Sequence, residues 1–463
     1  MRLLHPWILL PFTFLLAGAA NFSHPNFQDL DVVAAIAATR STHSQLNVAE
    51  RKGKLLLFHR DHLTSAAKKT LRSRRVHYSR SFHARMKRDK ERVLGLVRRI
   101  EGYAELDGFG SDVVSGTDQG SGEYFARIGV GSPPSSQYMV IDSGSDIVWV
   151  QCQPCSECYN QTDPVFDPSA SATFSGIPCA SDVCGRLDNA GCHGGHCRYE
   201  VLYGDGSFTK GTLAFETLTF AGTEVRNVAI GCGNMNQGMF VGAAGLLGLG
   251  GGSMSFVGQL GGQTGGSFSY CLVSRGAEST GSLEFGLEAL PVGAVWVPLL
   301  RNPQAPSFYY VGLSGLGVGG QRVDIPETLF ELSETGTGGM VMDTGTAVTR
   351  LPTAAYEAFR DEFVAQTLEL PSAPAVSIFD TCYDLSGFGS VRVPTVSFYF
   401  TSGPVLTLAA GNFLIPVNNA GTFCFAFAPS PSGLSILGNV QQEGIQISVN
   451  GANGFVGFGP NVC

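Results

Sequence analysis

Along most of the chain, short Val-, Thr- and Phe-rich runs are broken every eight to twelve residues by Gly, Pro, Ser or Asn. That punctuation predicts many short strands and few helices. Glu123-Tyr124-Phe125-Ala126-Arg127-Ile128-Gly129-Val130 reads as the first strand of the main body. One earlier stretch departs from the strand pattern: Val93, Leu94, Leu96, Val97 and Ile100 fall at helical spacing beside Arg92, Arg98 and Arg99. This predicts an amphipathic helix able to dock by its apolar side. With 463 residues, 44% of them hydrophobic and 15% charged, the chain can bury two sizeable cores.

The apolar runs carry a repeat. Val140-Ile141 leads into Asp142-Ser143-Gly144-Ser145, and Val341-Met342 leads into Asp343-Thr344-Gly345-Thr346. An apolar strand ending in a carboxylate, then a hydroxyl residue and a glycine, describes a buried strand entering a tight turn with Asp at its tip. Each Asp is followed by a second apolar-Gly segment, Leu246-Leu247-Gly248-Leu249-Gly250 and Ser435-Ile436-Leu437-Gly438-Asn439, whose first glycines lie 106 and 95 residues on. The repeat length argues for two copies of one domain, with Gly248 and Gly438 permitting close backbone packing behind the Asp turns. Two such turns facing each other would hold two carboxylates that share one proton, offering an acid and a base together. A single Asp-Ser-Gly is most often an ordinary turn; the duplication is what raises it above that.

The start of the chain changes the picture. A charged beginning, the apolar stretch Trp7 to Leu16 and the small residues Ala17-Gly18-Ala19-Ala20 read as a signal peptide over residues 1–20. No later segment has the length and hydropathy of a membrane span, and Gly459-Pro460-Asn461-Val462-Cys463 lacks an anchor tail. Charge then splits sharply. Residues 21–99 carry 18 Lys and Arg against 6 Asp and Glu, whereas residues 101–463 carry 11 against 32, so a net charge of +12 precedes one of −21. The acidic body is the nearest partner for the basic run, which favours a prosegment over residues 21–110, held on the body by charge, ahead of a nucleic-acid contact or a solvated arm. A mature start between about 101 and 120 is expected.

All twelve Cys follow residue 150, which behind a signal peptide reads as six disulfides. Cys152, Cys155 and Cys158, and the segment Cys192-His193-Gly194-Gly195-His196-Cys197, invite a zinc reading, but bridging of a loop-rich insertion is the better one, so no metal and no other cofactor is expected. Seven of the nine His lie at or before residue 83, and the other two are His193 and His196. The body therefore lacks an imidazole base for a Ser or Cys hydrolase, and carboxylates would have to carry proton transfer.

The two Asp motifs, the segment Tyr203-Gly204-Asp205-Gly206-Ser207 between them and the two apolar-Gly segments resemble a pepsin-like aspartic protease. The Cys-rich insertion is similar to that of the plant nepenthesin type, and Asp142 to Cys152 (DSGSDIVWVQC) is most similar to the plant group called aspartic protease in guard cell. The resemblance spans roughly 120–463. It implies an all-β-dominated, bilobal fold with a cleft between an N-terminal lobe over 120–300, with its Cys-rich insertion at 152–197, and a C-terminal lobe over 301–463. It implies catalytic roles for Asp142 and Asp343 and a flap made of Tyr203, Gly204, Asp205 and Gly206. Ser143 and Thr344 would brace the two Asp turns across the cleft, Ser145 and Thr346 would bond to the carboxylates, Gly144 and Gly345 belong to the same turns, and Trp149 would support Tyr203. Where Ser143 stands the family usually has Thr. The same comparison implies the pairings Cys152–Cys155, Cys158–Cys232, Cys179–Cys197, Cys184–Cys192, Cys271–Cys463 and Cys382–Cys424.

The resemblance thus implies a plant aspartic endopeptidase, a secreted hydrolase made as a zymogen and active in acid. It would act on polypeptide substrates with its own prosegment as intramolecular inhibitor, as a monomer without nucleic-acid partner or membrane anchor. The rival function is an inactive binding protein on the same scaffold, like the plant xylanase inhibitors. Asn160 is the better of two Asn-x-Ser/Thr glycosylation sites, since Asn21 lies at the signal junction and would leave with the prosegment. The destination is the cell exterior (apoplast) or the vacuole; natural substrate and subsite preference are not written in the residues.

Overall fold

The computed structural model describes residues 26–38, 54–59, 74–101, 124–203, 206–238, 240, 242–274, 281–286 and 294–460. The signal peptide, the expected mature start, Gly204, Asp205 and Cys463 lie outside the described residues. Strands dominate a two-lobed body, and the two lobes share a local plan. In the first, Ser135–Asp142 runs parallel to Gly245–Gly248 with Asp142 opposite Gly248, and Leu246 also pairs antiparallel with Trp149. In the second, Met340–Met342 runs parallel to Ser435–Leu437, and Ile436 pairs antiparallel with Arg350. The apolar-Gly segment of each half is thus a strand threaded between the strand that delivers Asp and the one that follows it. A Cβ on Gly248 would stand 2.2 Å from the Asp146 carbonyl oxygen, and one on Gly438 would stand 2.6 Å from the Val348 carbonyl carbon. Only glycine lets these strands press against the Asp turns.

A continuous antiparallel sheet joins the lobes. Its order is Tyr124–Val130, Lys54–His59, Gly281–Phe285, Ser267–Cys271, Ile445–Asn450, Phe455–Pro460 and Val295–Leu300. The second strand comes from the basic N-terminal segment, with Leu55 and Leu57 buried in the main core. A further N-terminal strand, Phe27–Asp31, pairs with Ser390–Pro394 on the second lobe. The helix predicted around residues 93–100 is longer than its apolar stripe suggested, running Arg74–Glu101. Val93, Leu96, Val97 and Ile100 are buried against Ala305, Phe308, Val341 and Ile436, while Phe82 and Met86 pack with Val348, Phe379 and Ile415. Charge alone therefore does not hold the basic segment: strand pairing and apolar burial bind it as well.

Four of the implied disulfide pairings are corrected. The bridges are Cys152–Cys232, Cys155–Cys158, Cys179–Cys192 and Cys184–Cys197, with Cys382–Cys424 as expected. Strand pairing sets the first, because Trp149–Gln151 runs parallel to the strand holding Cys232 and the Cys152 amide donates to the Gly233 carbonyl. Cys155 and Cys158 are left in the adjoining loop to join each other. Burial sorts the other two: Cys184 and Cys197 face a small core with Ile177 and Leu213, whereas Cys192 is exposed and Cys179 half-buried. Cys271 is disulfide-bonded, and Cys463, its implied partner, lies outside the described residues.

Candidate active site

Each Asp is delivered by a buried strand and gripped by its own turn. The Gly144 amide donates to Asp142 Oδ1 at 3.0 Å and Ser145 Oγ to Asp142 Oδ2 at 2.6 Å. In the second lobe the Gly345 amide donates to Asp343 Oδ1 at 3.0 Å, and Thr346 Oγ1 donates to Asp343 Oδ2. The turns also lock to each other: the Ser143 amide donates to Thr344 Oγ1 at 3.1 Å and the Thr344 amide to Ser143 Oγ at 3.0 Å. Each hydroxyl then donates to a carbonyl across the cleft, Ser143 Oγ to Met342 and Thr344 Oγ1 to Ile141. Because the brace uses only the hydroxyl, serine at 143 serves as threonine would.

An aromatic cluster beside the first turn gathers Trp149, at the start of the strand Trp149–Gln151, with Tyr203 and Phe240. Trp149 Nε1 donates to Tyr203 Oη at 2.8 Å, and Phe240 packs edge-on to both rings. Burial holds the Tyr203 phenol above its usual range, with Asp142 acting in the same direction. Tyr203 directly follows the strand His196–Leu202, which pairs with Phe208–Phe220 as a hairpin. Its amide donates to the Ser207 carbonyl, and Gly206 turns the chain at φ +81°. Asn160 is exposed in the Cys-rich loop.

Sequence reading missed the group that joins the two carboxylates. Arg92, on the long helix, donates from Nη2 to Asp142 Oδ1 at 2.6 Å and to Asp343 Oδ1 at 2.7 Å, and from Nε to Asp343 Oδ2 at 2.8 Å. One nitrogen serves both acids, so their inner oxygens lie within twice a hydrogen-bond length of each other. A Cβ on Gly345 would stand 2.2 Å from Arg92 Cζ, so the glycine admits the guanidinium. Burial works against the charge on Arg92, but the two carboxylates outweigh it and hold its pKa well above the ordinary value. Burial likewise opposes ionisation of Asp343, and Arg92 outweighs it, leaving that carboxyl below its usual range. The signal available in the sequence was an arginine on the margin of an amphipathic stripe.

Two more acids sit close by. Asp146 accepts from Ser307 Oγ at 2.5 Å and from the Gly252 amide at 3.1 Å, tying the first Asp turn to the chain entering the second lobe. Burial raises its pKa, against the pull of these donors. Asp89, one helical turn before Arg92, binds the Arg350 guanidinium and the Ala347 amide, and accepts from the Val348 amide at 3.3 Å.

Two face-to-face Asp turns on a duplicated strand plan, each acid bonded by its own Gly amide and hydroxyl, match what the comparisons find. Residues 124–287 match the family described as Xylanase inhibitor N-terminal and residues 308–460 the one described as Xylanase inhibitor C-terminal. Protein ASPARTIC PROTEASE IN GUARD CELL 2 of Arabidopsis thaliana is 66% identical over 95% of each chain. The chain is a plant pepsin-like aspartic protease. Aspartic proteinase nepenthesin-2 of Nepenthes gracilis is 41% identical over 74% of this chain and 78% of its own. The crystal structure of edgp shares the fold, with a TM-score of 0.61 at 21% identity over 73% of this chain and 92% of that one. Among the described residues of this protease, no helix is long and apolar enough to cross a membrane, and no three His, Cys, Asp or Glu cluster as metal ligands.

Proposed function

We propose that the chain is a secreted zymogen of an acid-active endopeptidase, in which Asp142 and Asp343 are the catalytic pair and residues 21 to about 110 are an inhibitory prosegment. The observation that carries this reading is Arg92 bonded to both carboxylates from a helix packed along the cleft. In the mature enzyme the ionised member of the pair takes a proton from a water held between them, while the protonated member bonds to the scissile carbonyl. The tetrahedral intermediate collapses as a proton passes to the leaving nitrogen. In the zymogen the guanidinium stands where that water would, and it donates to the inner oxygens of both acids, the place the shared proton would take. Tyr203, braced by Trp149, would close over the substrate and exclude solvent.

The family description admits an inhibitor reading, but both Asp turns and their hydroxyl donors are complete in this chain, which favours the enzyme. Purified full-length protein incubated across a pH series, with and without pepstatin, tests the assignment. The expected result is loss of the N-terminal segment and pepstatin-sensitive digestion of a denatured protein in acid. No digestion at any pH, with the segment gone, would return the chain to the binding class.

A further inference from the structure

Beside the catalytic pair lies a second charged site that the hydrolytic mechanism does not use. Arg350 is fixed on the strand Thr349–Pro352, opposite Ala428 and Ile436. Its side chain is 5% exposed, and the carboxylate bonded to it is that of Asp89, itself 1% exposed. Arg350 Nε has no hydrogen-bond partner among the described residues. The Ala347 and Val348 amides, four and five residues beyond Asp343, converge on the same carboxylate as the guanidinium. Three donors thus form a preformed cradle for one carboxylate, with one guanidinium N–H to spare.

Asp89 belongs to the helix that carries Arg92, so the segment that leaves the catalytic pair also leaves the cradle. Its departure would strand a cation at the wall of the cleft with no anion, an arrangement that is costly unless another anion arrives. The pair also runs against the overall polarity of the chain, an acid from the basic segment bound to a base from the acidic body. Bulk charge therefore does not explain it; local recognition does. Asp89 precedes Arg92 by three residues, about 4.5 Å along a helix axis. An extended peptide advances about 3.3 Å per residue, which puts the cradle within about three residues of the bond held between Asp142 and Asp343.

We infer that Arg350 and the Ala347 and Val348 amides form a specificity subsite for an acidic substrate side chain, which Asp89 occupies in the uncleaved chain. The inference rests on the endopeptidase reading and names its substrate class: polypeptides carrying Asp or Glu close to the scissile bond. A carboxylate bound by a guanidinium and two amides is held by charge-assisted bonds, whereas the isosteric amide offers the cradle one acceptor and no charge.

The test uses mature enzyme and a library of amidated peptides, which removes the terminal carboxylate as a competing source, with Glu or Gln scanned through the three residues on either side of the cleaved bond. At pH 5, where a free Glu is mostly ionised, one position is expected to show kcat/KM for Glu over Gln on the order of tenfold to a hundredfold. Arg350→Gln, expressed with Asp89→Asn so that the zymogen does not bury a lone carboxylate, is expected to bring that ratio to about one, and Arg350→Lys to retain part of it. Asp89→Asn alone changes only the segment lost on maturation and is expected to leave the ratio intact. A ratio near one at every position, or a ratio that survives in Arg350→Gln, overturns the subsite. Titrating the same peptides into mature Asp142→Asn reads the site without turnover. A missing Glu preference in binding sinks the subsite alone, while wild-type enzyme that cleaves no peptide yet binds Glu over Gln through Arg350 sinks the protease reading alone.

Discussion

Arg92 and Asp343 meet as a two-point pair, Nε to Oδ2 at 2.8 Å and Nη2 to Oδ1 at 2.7 Å, across 251 residues of chain. The fork geometry of a guanidinium fits a carboxylate in this way, and a lysine could not reproduce it. The same nitrogen reaches Asp142, so one side chain engages both acids of the proposed pair. Truncating one partner of a buried ion pair commonly costs about 3 kcal/mol or more. Arg92→Gln is therefore predicted to release the N-terminal segment roughly a hundredfold faster at a given acid pH, read as appearance of mature protein by mass spectrometry.

The pH dependence of release follows from the same pair. With Arg92 in place Asp343 sits below its usual range; with Arg92 gone, two neighbouring carboxylates share a proton and one of the pair titrates above the usual carboxylate range. Release therefore takes up a proton. Docking is fully favoured at neutral pH, weakens as pH falls through the upper value of the free pair, and is lost as it approaches the depressed value of Asp343. Maturation rates measured between pH 7 and pH 3 are predicted to be slow down to about 5 and to rise steeply below it. A flat profile would remove the dyad from the switch.

Loss of the indole donor separates positioning from folding. Trp149→Phe keeps a ring in the aromatic cluster and removes the 2.8 Å bond to Tyr203. A buried hydrogen bond is worth about 1 kcal/mol, so kcat/KM is predicted to fall several-fold while the mature protein remains folded by circular dichroism.

The brace between the Asp turns is predicted to depend on a hydroxyl and not on its methyl. Ser143→Ala leaves the buried Thr344 amide without its 3.0 Å acceptor and is predicted to lower stability by about 1 to 3 kcal/mol, measured by thermal unfolding, with a matching loss of activity. Ser143→Thr keeps the acceptor and is predicted to behave as wild type in both measurements.

Peptide mapping without reduction checks the covalent frame. Strand register predicts a fragment joining Cys152 to Cys232, and shared burial one joining Cys184 to Cys197. Fragments joining Cys152 to Cys155, or Cys184 to Cys192, would show that the resemblance was the better guide.

What could be read in the residues, and what could not, divides along physical lines. Asp142, Asp343 and the apolar-Gly segments were legible because apolar strands, turn residues and a duplication repeat in order along the chain. The amphipathic stripe Val93 to Ile100 was legible for the same reason. Arg92, Asp89 and Arg350 were hidden because their partners are distant in sequence, and nothing about an isolated arginine distinguishes a solvated one from one inserted between two acids. The strand Lys54–His59 escaped for a related reason: a short apolar run inside a basic segment acquires its meaning only from the sheet that accepts it. Disulfide connectivity likewise follows from burial and strand register, which spacing does not contain.

On the proposed mechanism, Asp142 and Asp343 jointly carry hydrolysis once the N-terminal segment is gone. Initial rates of cleavage of a denatured protein at acid pH, compared among mature wild type, Asp142→Asn and Asp343→Asn at equal concentrations of folded enzyme, test it most directly. Each variant is expected to lose about a thousandfold or more in rate, on the order expected when one half of an acid and base pair is removed. Either variant cleaving at the wild-type rate would contradict it.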